Sequence, residues 1–238
     1  MLARPWPHDP ECAYLLVSGG HQDSARLPGL EVLNEWLHTL EMWGYRSVRT
    51  GALNQDMASE FKVAGFTPLQ DLLLMSADLT GHVIPAPDRS RVRPVRIWPG
   101  PGRRLVGTLL AIDSASFGPV WTLDISSLAE ARRATEASRM FVAREEGRPV
   151  GFLLAGATGS GGYVQRLAVL PSHRRKGHAG ALIAAAHSWM RSRGCSTSVV
   201  NTETSNMAAI ELYRRLGYEV LPYGLQVLER PLRTGEPG

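Results

Sequence analysis

Residues Leu167-Ala168-Val169-Leu170-Pro171-Ser172-His173-Arg174-Arg175-Lys176-Gly177-His178-Ala179-Gly180 join an apolar strand to a helix through a basic, glycine-containing turn. A turn of this kind binds phosphate groups. Its successive backbone N–H groups converge on an anion, the following helix adds the positive end of its dipole, and glycine lets the ligand approach the main chain. Arg174, Arg175 and Lys176 bring side-chain charge to the same place. The Gly-Lys-Ser/Thr and Gly-x-Gly-x-x-Gly patterns are both absent here, so neither a Walker loop nor a dinucleotide fingerprint is expected.

A helix ending near Gly194 follows, then a strand over 197–202, then Asn206-Met207-Ala208-Ala209-Ile210-Glu211-Leu212-Tyr213-Arg214-Arg215-Leu216-Gly217-Tyr218. The spacing Arg174-x-x-Gly177-x-Ala179 resembles the acyl-coenzyme A pyrophosphate loop of the GNAT N-acetyltransferase superfamily, Gln/Arg-x-x-Gly-x-Gly/Ala. The later run resembles that family's second signature, Asn-x-x-Ala-x-x-Leu-Tyr-x-x-x-Gly-Phe/Tyr. The two lie in the family's order and separation, and the resemblance covers residues 91–230. It implies an α/β GNAT fold, a mixed central sheet flanked by helices, that binds acetyl-CoA as co-substrate and acetylates an amine.

The resemblance also implies roles. The strand containing Leu167, Ala168 and Val169 would splay from the 197–202 strand, and the pantetheine arm would pair with its exposed backbone like an added strand. The pyrophosphate would meet the amides of Lys176, Gly177, His178, Ala179 and Gly180, with Arg174 and Arg175 nearby. Asn206 would reach the pantetheine, or serve as the N-cap of the following helix; the two readings are compatible. Tyr213 occupies the position of the acid that protonates the departing thiolate, which a phenol with a pKa near ~10 can do. Read as a plain side chain, it is a core aromatic beside Leu212 and Leu216. Where many relatives carry a glutamate base stands Gln165, whose amide cannot take a proton. Glu203 is the substitute candidate, acting through water, against its reading as a solvated loop acid.

The elements that must position these residues follow from pattern. Residues 92–98 read as an edge strand, 98–102 as a turn, 103–117 and 127–137 as helices, with Ser126 or Ser127 and Glu130 as a cap. Strands at 140–145 and 150–155 flank the hairpin turn Glu146-Gly147-Arg148-Pro149, and a strand over 163–169 leads into the phosphate turn. Glycine-rich 156–162 reads as a plain flexible turn in preference to a mobile substrate loop. Such alternation predicts a mixed sheet.

The first third echoes the last at an offset of 152 residues: Val48, Thr50, Asn54, Gly65, Leu69 and Leu73 match Val200, Thr202, Asn206, Gly217, Leu221 and Leu225. Phe61 stands opposite Tyr213. Arg26-Leu27-Pro28-Gly29 precedes a helix with Leu30, Leu33, Leu37 and Leu40 on one face. Residues 12–79 thus read as strand, helix, strand, helix, strand, the C-terminal half of a GNAT fold. The expected organisation is a degenerate partial repeat at 1–80, a linker at 81–90 and a complete domain at 91–238. The first copy is expected to be inactive, because Phe61 lacks a hydroxyl, Pro28 a backbone donor, and Glu31 repels an anion. It would pack alongside the complete domain and imitate a second subunit, making the chain a monomer with an internal pseudo-dimer, or else a homodimer.

The 238 residues carry a formal charge of +4, and 44% are hydrophobic, which suits an ordinary core. Scattered arginines without a recognition motif argue against a nucleic-acid partner. No export signal or membrane-length apolar run is read, so no membrane partner and a cytoplasmic location are expected. Cys12 and Cys195 suggest no disulfide, and no Cys/His spacing suggests a metal. Two functions compete: an N-acetyltransferase acting on a small-molecule or peptide amine, and an acyl-CoA-binding sensor or scaffold without turnover.

Overall fold

The computed structural model describes residues 2–16, 29–81, 92–94 and 102–232. In chain order these form β1 (Leu2–Trp6), β2 (Asp9–Leu16), α1 (Leu30–Met42), β3 (Ser47–Thr50), α2 (Gln55–Val63), β4 (Thr67–Asp78), β5 (Val92–Pro94), α3 (Arg103–Phe117), α4 (Ile125–Arg133), β6 (Ala137–Glu145), β7 (Arg148–Thr158), β8 (Gly161–Val169), α5 (His178–Ser192), β9 (Thr197–Glu203), α6 (Met207–Arg215), β10 (Glu219–Val220) and β11 (Leu225–Pro231). Two compact units result. One comprises Met1–Leu74, Thr202–Ser205 and Leu221–Gly238, the other Met75–Asn201 and Asn206–Val220. The expected segments 1–80 and 91–238 do not coincide with them: the end of β4 belongs to the second unit and β11 to the first. Strand pairing depends on context more than on local propensity, so the sequence of β11 does not state which strands it joins. Residues 26–28, the expected linker from 82 onward, and the expected strand and turn over 95–101 lie outside the described residues.

In the first unit β1 pairs antiparallel with β2, β2 runs parallel to β3, and β11 lies antiparallel to both β3 and the first part of β4. Helix α1 buries Leu33, Leu37 and Leu40, spaced to form one stripe, and ends before Gly44 in the left-handed region at φ +87°. Asn54 caps α2 by accepting from Met57 N at 2.9 Å, and the fully buried Phe61 packs edge-on against Phe66.

In the second unit β5, β6, β7 and β8 form an antiparallel series, β8 runs parallel to β9, and β10 pairs antiparallel with the end of β4. β7 is buried almost continuously and β6 through its middle, Met140–Ala143, as strands covered on both faces are. Met140, Val142, Phe152 and Leu154 meet Leu109, Ile112 and Leu128 of α3 and α4 on one face. Their alternating neighbours Phe141 and Leu153, also buried, point to the other face. Gly162 leaves room there for Met190 of α5, whose sulfur stands 2.6 Å from where a Cβ would be.

Three local expectations shift. The helix expected at 127–137 runs Ile125–Arg133, because Asp124 caps it, accepting from Ser127 N at 2.6 Å and from the Ser126 hydroxyl. Aspartate and serine cap about equally well, and here the upstream carboxylate takes the position. The hairpin strands extend to Ala137–Glu145 and Arg148–Thr158, joined at Glu146 (φ +50°) and Gly147 (φ +78°), both positive as a tight hairpin turn requires. Glycine-rich 156–162 is mostly strand, with only Gly159 and Ser160 in the turn.

Candidate active site

The sheet opens at β8. Leu154 of β7 pairs with Arg166 and Ala155 with Val164, so Gln165 is an extra residue, a bulge. At the same point β8 loses its parallel partner: the register with β9 runs from Gly161↔Thr197 to Val164↔Val200. Leu170 N–H donates to Val150 O, toward β7. By alternation the amides of Leu167 and Val169 point to the opposite edge, which β9 has left, while Ala168 faces β7. The expected splay is therefore present, with one qualification. Val169 O accepts from Ser116 Oγ at 3.2 Å and from Arg174 Nε at 3.4 Å, leaving Val169 N–H and both groups of Leu167 as that edge's strand-type donors and acceptor.

The open edge leads into a turn at Pro171–His173 and then the basic loop. Arg175 and Gly177 take left-handed conformations, φ +60° and +83°, which turn successive N–H groups to one side. The first bond of α5 in the i→i−4 pattern is Ala181 N to Gly177 O, so the amides of His178, Ala179 and Gly180 have no partner within the helix. This is the cradle that the glycine spacing predicts, at a helix N-terminus suited to an anion.

The basic side chains are placed differently from the sequence expectation. Arg174 turns back to Val169 O and Ser116 O, bracing the end of α3 against β8. Lys176 Nζ donates to Glu145 at 3.2 Å. His178, buried at the start of α5, has Nε2 3.4 Å from the same carboxylate, and His173 Nε2 lies 3.5 Å from it. The hydrogen bond from Lys176 holds the Glu145 carboxyl below its ordinary range. Of the three cations only Arg175 is exposed without a partner among the described residues, so the donors left free at this turn are mainly those of the main chain. Sequence reasoning missed Glu145 because it lies 31 residues before Lys176, at a hairpin end with no motif.

Tyr213 sits on α6, 5% exposed, its ring edge-on to Tyr218 at 5.3 Å. Burial pushes its phenol far above the usual value, so it stays protonated at neutral pH. The Tyr218 hydroxyl lies 2.7 Å from His187 Nε2 and 2.6 Å from Ser198 Oγ, a buried polar network behind the ring. Asn206 caps α6, accepting from Ala209 N at 3.2 Å. Glu203 is the last residue of β9 and falls in the first unit; every other candidate belongs to the second.

Gln165 and Arg166 both project toward α3 and α4, as adjacent residues at a bulge can. Gln165 Nε2 donates to Ala131 O at 2.8 Å, which fixes the amide's orientation; its Oε1 is buried without a hydrogen-bond partner. Arg166 makes two bonds to the fully buried Asp113, at 2.7 and 2.8 Å, donates to Trp121 O at 2.6 Å and lies over the Phe117 ring. Asp113 also accepts from Leu123 N. Among the described residues no group of three or more His, Cys, Asp or Glu could hold a metal, and no helix is long and apolar enough to cross a membrane.

Comparison with known proteins agrees with this geometry. Residues 107–218 match the Acetyltransferase (GNAT) family. A putative GNAT-family acetyltransferase from Novosphingobium aromaticivorans is similar at 23% identity, covering 70% of this chain and 68% of that one with a TM-score of 0.54. A GCN5-related N-acetyltransferase from Sphaerobacter thermophilus superposes over 98% of this chain and 76% of its own, at 18% identity and a TM-score of 0.62. A tandem GNAT protein from the clavulanic acid biosynthesis pathway covers 95% and 77% at 10% identity, with a TM-score of 0.64. The chain has the mixed α/β fold of these proteins, and its residues 107–218 are similar to the GNAT acetyltransferase family.

Proposed function

We propose that this chain transfers an acetyl group from acetyl-CoA to a primary amine of a small molecule or peptide, by direct attack within a ternary complex. The observation that carries the reading is the coincidence of the bulge at Gln165, the parting of β8 from β9 after Val164, and the left-handed cradle at Arg175 and Gly177. An extended amide-bearing arm can pair with the open edge at Leu167 and Val169, while its diphosphate meets the amides of Lys176 to Gly180.

The amine nitrogen forms a bond to the thioester carbon, the carbon–sulfur bond breaks, and the thiolate takes a proton from the Tyr213 hydroxyl, which regains one from solvent. Burial raises this phenol above its ordinary range and weakens it as an acid, so its part rests on the hydrogen bond it offers the sulfur as charge builds there. The nitrogen's surplus proton passes to solvent. Gln165 has no basic site, and Glu203 is the alternative acceptor of that proton. Alignment of two bound reactants supplies up to roughly 7–11 kcal/mol of such a barrier, so a carboxylate base is not obligatory.

Among the described residues the first unit differs from the second at corresponding positions. β2 and β3 stay paired through Leu15↔Thr50, and Thr50 corresponds to Thr202, two positions beyond the point where β8 and β9 part. Phe61 against Phe66 repeats Tyr213 against Tyr218 without the hydroxyls, and Asn54 repeats the cap of Asn206. These parallels support a duplicated half-domain that kept its packing and carries no chemistry. The test titrates acetyl-CoA, then follows free thiol with a panel of amines for the wild type and Tyr213→Phe. Release that falls at least about 100-fold in the variant with unchanged acetyl-CoA affinity supports the assignment. Binding without release for any amine favours the sensor reading instead.

A further inference from the structure

Resting on the acyl-CoA reading above, we propose that the buried pair Asp113–Arg166 sets the register of β8: it holds the strand in the one-residue slip at Gln165 that brings the open edge into line with the cradle. Both are then positioning residues for the acyl-CoA arm. Up to Val164 the strand keeps step with two neighbours, Val164 standing opposite Ala155 of β7 and Val200 of β9. From Arg166 to Val169 it is one residue out of step, with Arg166 opposite Leu154 and Val169 opposite Gly151. A slip of one residue turns every later side chain to the other face. Leu167, Ala168 and Val169 are apolar and suit either face, so they do not choose between the slipped phase and a straight one.

Arg166 makes the choice. In the observed phase it forms two bonds to Asp113 of α3, at 2.7 and 2.8 Å, and donates to Trp121 O. In the straight phase it would stand opposite Leu153, on the face where Phe141 and Leu153 are buried, and the fully buried Asp113 would lose its counter-charge. Stranding both charges costs more than the ladder bond a bulge forgoes. The first residue of the bulge adds a weaker hold. Gln165 Nε2 donates to Ala131 O, and Gly156 leaves room for its side chain, since a Cβ there would stand 2.9 Å from Gln165 Cδ. Its Oε1 is buried without a partner among the described residues, so the charged pair is the stronger constraint.

The phase matters to a ligand because its arm and its diphosphate are joined. In the straight phase Arg166 and Ala168 would take the edge places of Leu167 and Val169. The cradle would then lie one residue, ~3.3 Å, further along the chain from that edge. An arm paired with the edge would present its diphosphate away from the amides of Lys176 to Gly180.

The test measures acetyl-CoA affinity by calorimetry on the full chain, together with Tm and the cross-strand NOEs of Leu154 in isotope-labelled protein. Asp113→Leu with Arg166→Met removes both charges and opens the straight phase. The slipped phase is expected to fall to about a tenth of the population, which weakens acetyl-CoA binding about tenfold. Tm should stay near that of the wild type, and Leu154 should contact Gln165 in place of position 166. A role in stability alone would move Tm and leave the partner of Leu154 unchanged. Should the double variant not fold, Asp113→Asn, which keeps the side chain's shape and drops its charge, is read in the same way and is expected to weaken binding about threefold. An affinity within about twofold of the wild type, or Leu154 contacting position 166 alone, overturns the inference and leaves the transferase reading standing. A wild type that binds no acetyl-CoA removes that reading and this inference with it.

Discussion

The pair Asp113–Arg166 should be the most sensitive point in the second unit. Asp113 is wholly buried and Arg166 only 17% exposed, and together they make two mutual hydrogen bonds plus one to Leu123 N and one to Trp121 O. Asp113→Ala would leave the guanidinium buried without its counter-charge, and breaking one side of such a pair costs about 3–5 kcal/mol. For a chain of this length each kcal/mol moves Tm by about 2–4 °C, so a loss of about 6–20 °C is expected. Replacing both residues with apolar ones, Asp113→Leu with Arg166→Met, removes the stranded charge and should recover most of that loss. Thermal unfolding followed by circular dichroism checks both. The loop after α3 would also lose the bond from Arg166 to Trp121 O, so the double variant should show faster amide exchange there even where Tm recovers. A shift below about 2 °C for Asp113→Ala, or a double variant less stable than either single one, would refute the reasoning.

Other outcomes follow from the same geometry. Gly177→Ala places a Cβ on a residue at φ +83°, costing about 1–2 kcal/mol in the cradle, and should weaken acetyl-CoA binding about tenfold in calorimetry with little change in kcat. Tyr218→Phe deprives Ser198 Oγ and His187 Nε2 of their shared hydroxyl and should lower stability by about 1–3 kcal/mol in urea unfolding. Because burial raises the Tyr213 phenol, its proton-donating form persists to higher pH than that of a free tyrosine. kcat should therefore show no alkaline fall up to about pH 10; a fall centred near 9 that vanishes in Tyr213→Phe would contradict the acid's assignment.

Periodicity and glycine placement made α1, α5 and the strands around them legible: Leu33, Leu37 and Leu40 form a stripe, and Gly44 and Gly194 end their helices at positive φ. The cradle was legible too, since its conformation is a local property of Arg175 and Gly177. What escaped were relations across the chain. Gln165 shows its bulge only when paired with β7, Asp113 meets Arg166 across 53 residues, and Glu145 reaches Lys176 across 31. Arg174 looked like a ligand because its charge was visible and its bonds to Val169 and Ser116 were not. The early start of α4 has a nearer cause, an aspartate that caps in place of the serines after it.

The way β4 and β11 are apportioned carries an evolutionary consequence. The N-terminal stretch contributes Met75–Asp78 to the second unit, and the C-terminal stretch contributes Leu225–Pro231 to the first. Neither portion of the gene can then be discarded without leaving the other unit short of a strand, so selection on folding retains the N-terminal stretch whether or not it carries chemistry. A protease nick within 82–91 should yield two fragments that co-elute from a sizing column until denaturant is added.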